Sequence, residues 1–391
     1  MRLTVSTYTQ DSGWSRELPT ACDPERTLVV AFGAPCFRDD REPLAYLAEH
    51  FAGSTVIGCS TAGEILDAAI HDESLAVAVL QFEDTVVRAA NSPVYEDDSF
   101  RTGKELADAL AAPDLRACLV LSEGNHVNGT WLLRGINEIL DPGVVTTGGL
   151  AGDGPRFERT WVLVDGVPRE DVVVAAGLYG DAVRVGHGSR GGWDRFGPER
   201  RVTRSRGNVL YELDGQPALE LYKRYLGELA EGLPATALLY PLAVRADEED
   251  SRALVRTILA IDEEQQSLTF AGDIPEDWRA QLMRANFDRL VDGASEAASL
   301  TEEGLSEDVV GDRLAIAISC VGRRLVLGHR AEDEVEAVVE GLPEGTRVVG
   351  FYSYGEISPI TRGQRCELHN QTMTLTTIGE AAPCTGSSFG S

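Results

Sequence analysis

The chain has little cysteine, and what it has is poorly placed for cross-linking or metal capture. Seven cysteines stand at positions 22, 36, 59, 118, 320, 366 and 384, an odd and scattered set without a C-x-x-C pair. That excludes a disulfide scaffold and a zinc knuckle, and it suits reduced thiols in a cytosol. The six histidines form no H-x-x-x-H or H-E-x-x-H pattern, so no structural zinc is expected. Positive charge is also scarce: 35 Lys and Arg face 63 Asp and Glu, a formal charge of −28. A phosphate backbone is repelled by such a chain, so neither nucleic acid nor an anionic membrane is an expected partner. Long apolar runs are missing, and the opening MRLTVSTYTQDSGW is too polar for a signal peptide. These absences together predict a soluble, cytoplasmic protein. With 391 residues, 43% of them hydrophobic, the chain can bury its core without metals or disulfides, and two domains are the natural division.

The chain does contain a plan repeated three times. The run TLVVAF (27–32) reads as a buried strand. A helix follows, with Leu44, Leu47, Ala48 and Phe51 at helical spacing after Pro43. Then come a strand at 55–57, the loop GCSTAGEIL (58–66) and the strand LAVAVLQF (75–82). The order returns as ACLVLS, EGNHVNG, TWLLRGINEIL, VVTTGG, LAGDG and TWVLV, and again as RLAIAISC, DEVEAVVEGL, RVVG, GFYSYGEIS and HNQTMTLTTI. The first and third loops superpose with an offset of 292, bringing Gly58, Gly63, Glu64 and Ile65 onto Gly350, Gly355, Glu356 and Ile357. The expected fold is a mixed α/β (α+β) chain of repeated strand-helix-strand units in two domains, with glycine-acid loops at strand ends. Turn chemistry at YELDGQP sets the expected boundaries: an N-terminal segment 1–26, a first domain 27–213, a second domain 214–379 and a disordered tail 380–391. The basic stretch RFGPERRVTRSR (195–206) is expected to be a solvated face balanced by nearby acids.

The glycine-acid loops fail two enzymatic templates. GCSTAG lacks the G-x-S-x-G spacing of a nucleophile elbow and leads into a strand. GGLAGDG (148–154) lacks both G-x-G-x-x-G and a GK[ST] ending. A third reading is a pocket floor, where thin loops admit a ligand and Glu64, Asp153 and Glu356 orient it; the competing reading has each acid binding its own loop amides. Cys59 and Cys320 lie in two of these strand-end segments but have no histidine beside them in sequence. Arg323 and Arg256 are shaped to grip a carboxylate, although Arg256 could equally face outward from its strand. His369 could face a pocket, ligate haem iron or be a hydrogen-bonded structural imidazole.

In order, the segments GCSTAGEI, GGLAGDG, GWDRFGPERRVTRSRGNVLYELDGQPALELY, LVRTILAID, LTFAGDIPEDW, SCVGRR, GFYSYGEISP and LHNQTMTLTTI span residues from about 27 to 378. Together they resemble the FIST domain proteins. The resemblance implies a FIST N domain followed by a FIST C domain, a sensory role in signal transduction, and binding of a small ligand such as an amino acid. It also implies partnership with histidine kinases, cyclic-di-GMP enzymes or chemotaxis receptors. No such output domain or transmembrane segment is fused here, so a separate partner is expected to receive the signal. The ligand-contact residues expected are Cys59, Glu64, Asp153, Arg256, Cys320, Arg323 and Glu356. Some relatives look like haem-binding nitric oxide sensors, which would make haem the cofactor and His369 an axial ligand. A cysteine-dependent enzyme is the remaining alternative.

Overall fold

A computed structural model describes every residue except 96, 234, 248–252, 304, 306, 307 and 383–391. The threefold plan of the sequence becomes three sheets around a shared apolar core. In each sheet two parallel strands joined by a helical crossover sit at the centre: Thr27–Gly33 with Thr55–Ser60, Leu115–Ser122 with Val145–Leu150, and Val309–Cys320 with Arg347–Ser353. An antiparallel strand flanks each pair on one side, namely Ser74–Gln81, Val172–Tyr179 and Met373–Ala381. Outside these lie Arg2–Thr9, Val86–Pro93 and Val183–Arg190.

The other side of each sheet is completed by a hairpin from a different unit. Glu64–Leu66, following the first glycine-acid loop, pairs with Arg347–Ser353 of the third sheet. Gly355–Pro359, from the third unit, pairs with Val145–Leu150 of the second. Val162–Val164, from the second unit, pairs with Thr55–Ser60 of the first. The exchange is cyclic, so every sheet contains chain from two units and none is complete alone.

Strand alternation divides the core. Leu28, Val30, Phe32, Leu119, Leu121, Ile316, Ile318 and Phe351 point into the central cluster shared by the three sheets. Val29 and Ala31 point the other way, onto Leu44 and Leu47 of the helix Glu42–His50. That helix carries Pro43 in its first turn, where a missing N–H costs nothing. The helix Gly129–Ile139 is started by Asn128, whose side chain accepts from the Trp131 amide.

Residues 194–284 form a separate β module between the third sheet's edge strand Val183–Arg190 and the helix Phe287–Glu302. The expected boundary at 213/214 falls inside this module, where Val209–Leu213 pairs with Gln216–Pro217 and with Ser267–Phe270. Its basic strand Arg200–Arg206 is balanced by acid, with Arg200 on Asp214, Arg201 on Asp277 and Arg204 on Glu212. The segment LVRTILAID forms two strands, Leu254–Arg256 and Ile258–Asp262, with the Thr257 carbonyl accepting from the Ala271 amide at the break. The final strand continues to Ala381, and the tail expected from 380 lies outside the described residues from 383 onward.

Candidate functional site

The repeated glycines have a common steric cause. Gly58, Gly148 and Gly350 stand opposite Ala31, Val120 and Ala317 of the neighbouring parallel strand. A Cβ there would lie 2.1, 1.8 and 1.8 Å from the carbonyl oxygens of those residues. Backbone therefore passes against backbone with no room for a side chain. Counting from these glycines, Glu64 and Glu356 fall six residues on, whereas Asp153 falls five on and occupies the register of Gly63 and Gly355.

The three loops do meet. The Ala62 amide donates to the Tyr352 carbonyl at 2.8 Å and the Tyr352 amide returns a bond to Gly63 at 2.9 Å. The Gly152 amide donates to Ser60 at 3.0 Å and the Tyr354 amide to Leu150 at 3.1 Å. Their carboxylates, however, turn into their own loops. Glu64 accepts from the Thr61 hydroxyl and from the Ser74 amide and hydroxyl at 3.1 and 2.7 Å. Glu356 repeats the device with the Ser353 hydroxyl at 2.9 Å and the Thr372 amide and hydroxyl at 3.1 and 2.9 Å. Asp153 takes the amides of Phe157, Glu158 and Arg159 and the hydroxyl of Tyr354. Burial pushes Glu64 up to about 7 and Glu356 up to about 8, against the partial opposition of these hydrogen bonds. For Asp153 burial acts upward too, but the amide and tyrosine bonds outweigh it and its pKa is lowered.

The arginines are also internally engaged. Arg323 is fully buried and paired with buried Glu334 at 2.6 Å, and it donates to the carbonyls of Gly191, Leu290 and Gln371. It thereby ties the third unit's crossover to three other segments. Arg256 donates to the carbonyls of Asp273, Val255 and Leu368, joining the β module to the second sheet, and burial lowers its pKa to about 10. Cys59 and Cys320 are enclosed, and burial drives both thiols well up, away from the thiolate form. His369 is buried, its Nε2 lies 2.9 Å from the Ser358 carbonyl, and burial lowers its pKa to about 4.

Accessible space lies at the ends of the parallel strands. One cleft of about 460 Å³ is lined by Ala34, Thr61, Glu64, Arg156, Val321 and Arg324, so each of the three units contributes to it. Arg324 closes one wall by donating to Ala62 and to both oxygens of Asp72. A larger cleft of about 650 Å³ opens between the second unit and the β module, lined among others by Asn125, His126, Phe157, Asn208, Leu259 and Tyr354. The rings of Phe157 and Tyr354 stack there at 4.2 Å. Of the sequence-selected residues, Glu64 lines the smaller cleft, and Asp153 supports the larger one through Tyr354 and Phe157. Asn125, His126 and Asn128 were not singled out; the signal available was a polar N-H-x-N stretch between a strand end and a helix start. At this end of the strand, Glu123, His126 and Asp171 also bring three metal-ligating atoms within 4.8 Å of one another. No helix among the described residues is long and apolar enough to cross a membrane.

The chain matches the FIST N domain over residues 27–216 and the FIST C domain over 218–359. It is 24% identical over 353 residues to an uncharacterized protein of Methanocaldococcus jannaschii, covering 79% of this chain and 65% of that protein's length. A cyanuric acid hydrolase from A. caulinodans superposes with TM-score 0.19 and 11% identity, covering 76% of this chain and 100% of the other. A likeness that slight supports nothing about fold or activity. The two domain matches, contiguous and in the order expected from the motifs, show that this chain belongs to the FIST domain proteins, whose domains are sensory modules of signal transduction.

Proposed function

We propose that this protein is a cytoplasmic sensor that binds a small polar metabolite, an amino acid or a close analogue, in the cleft between its second unit and its β module, and relays occupancy to a separate signalling protein. The observation that carries this reading is the cleft of about 650 Å³, a size suited to a metabolite, with walls drawn from both family segments. It lies beyond the carboxyl end of a parallel strand and against the start of the helix Gly129–Ile139, where the helix dipole favours a carboxylate. Asn125, His126 and Asn208 offer hydrogen bonds, and Phe157 and Tyr354 offer an aromatic wall. On this reading Glu64, Asp153, Glu356, Arg256 and Arg323 hold the loops that shape the site, and closure of the β module on the ligand changes the surface a kinase, cyclic-di-GMP enzyme or receptor would meet.

A thermal-shift screen of amino acids and related metabolites tests the proposal. A ligand at 100 times its Kd stabilises by about 2.7 kcal/mol. Asn125→Ala and Phe157→Ala are expected to weaken that ligand; Asn125→Ala should leave the stability of the empty protein unchanged, and Phe157→Ala, which gives up the stack on Tyr354, should lower it by about 0.5–1.5 kcal/mol. Binding that persists unchanged in both variants would place the ligand elsewhere, and a broad panel with no binder would overturn the sensor reading at this cleft.

A further inference from the structure

We propose that Glu123, His126 and Asp171 form an open three-ligand site for a borderline divalent cation, with Zn²⁺ as the probe. Sequence spacing conceals it, because Glu123 and His126 follow the strand Leu115–Ser122 while Asp171 arrives from the hairpin that precedes Val172–Tyr179. The register Ser122 to Val173 brings that hairpin beside the strand end.

Three observations point to a cation. The first is the donor set. One imidazole nitrogen and two carboxylate oxygens suit a borderline divalent ion better than Ca²⁺ or Mg²⁺, which favour oxygen alone. The second is spacing. Nδ1 of His126 lies 2.9 Å from Asp171 Oδ1 and 3.5 Å from Glu123 Oε2. Tetrahedral bonds of ordinary zinc length put neighbouring ligand atoms about 3.3 Å apart, between those two distances. The third is preorganisation around a buried charge. Glu123 is only 2% exposed, and its two oxygens accept the amides of Asn125 at 2.9 Å and His126 at 2.7 Å. Those amides fix the carboxylate as outer-shell partners fix a metal ligand, and each oxygen keeps a second lone pair. Asp171 brings a second carboxylate to the same imidazole nitrogen, and a cation would offset the two negative charges held together there.

Without metal, His126 bridges the two acids through Nδ1. The cation would take the place between the two carboxylates, with Nδ1 of the neutral imidazole as its nitrogen ligand. Three protein ligands leave at least one position for water or for a ligand group. His126 lines both the 650 Å³ cleft and a neighbouring one of about 490 Å³ beside Phe100 and Trp131, so that position is reachable.

The test uses the whole chain, stripped with chelator, and the metal alone, so a failed metabolite screen does not bear on it. Calorimetry with ZnCl₂ is expected to show one site of micromolar affinity or tighter. Co²⁺ should give visible d–d absorption that Zn²⁺ displaces. His126→Ala and Asp171→Asn are each expected to weaken binding by at least tenfold. Both side chains are more than half exposed, so the fold should be unaffected. His71→Ala, in another sheet, is the control and should bind as the parent does. Binding weaker than about 100 μM, or binding that both site variants leave unchanged, would overturn the assignment.

Discussion

Replacing Glu64 by glutamine separates the two things its carboxyl does: it accepts hydrogen bonds from Thr61 and Ser74, and it carries a proton whose affinity the interior has raised. Glu64 is 1% exposed, and burial moves its pKa from 4.5 to about 7. The folded state therefore binds the proton more tightly than the unfolded chain. Stability contributed through this group is fully present below pH 4.5 and is lost as pH rises toward 7 and beyond. A difference of about 2.5 pKa units corresponds to about 3 kcal/mol. Glutamine does not titrate, so it escapes that loss. Its oxygen can stay on Ser74, but its NH2 group then faces the Thr61 hydroxyl that donates to Glu64, a rearrangement that costs about 1–2 kcal/mol at every pH. At pH 5 the parent should be the more stable protein, and at pH 8 Glu64→Gln should equal or exceed it. For a chain of this length about 3 kcal/mol corresponds to a relative Tm change of about 4 °C. Differential scanning fluorimetry at half-unit pH steps reads the crossing, and Glu356 cancels because both proteins retain it. Parallel Tm curves from pH 5 to 8 would refute the reasoning, since they would mean Glu64 keeps one protonation state throughout.

Two further substitutions test the architecture. Gly350→Ala places a methyl 1.8 Å from the Ala317 carbonyl and is expected to cost more than about 3 kcal/mol or prevent soluble expression, whereas Gly345→Ala, at φ 85° with open space, should cost only about 1 kcal/mol; equal Tm losses would contradict the close-approach explanation. Arg323→Met strands the buried Glu334 carboxylate and should destabilise by about 3–5 kcal/mol, with Arg323→Met/Glu334→Leu recovering part of it in chemical denaturation; a double variant no better than the single would show that the carbonyl contacts matter more than the ion pair.

Much of the fold was legible in the chain. Short continuous apolar runs located the strands Thr27–Gly33, Leu115–Ser122 and Arg347–Ser353, because a strand between a shared core and a helix must be apolar on both faces. The repeat of Gly58 and Glu64 as Gly350 and Glu356 revealed related units. The candidate site was less legible. An acid after a glycine reads the same in sequence whether it faces a ligand or clamps its own loop, and only the hydrogen bonds to Ser74 and Thr372 distinguish the two. Arginines Arg256 and Arg323 looked available for the same reason, since their carbonyl acceptors come from segments remote in sequence.

Local composition and periodicity determined the elements and the three-unit plan, because steric and burial requirements act on neighbouring residues, and the ordered motifs carried the family resemblance that the domain matches bear out. Only the tertiary structure decided the cyclic exchange of hairpins, the place of residues 194–284 within the third unit, and the meeting of Glu123 and His126 with Asp171. Each of those depends on pairing between distant strands, and strand pairing leaves no fixed spacing in the sequence.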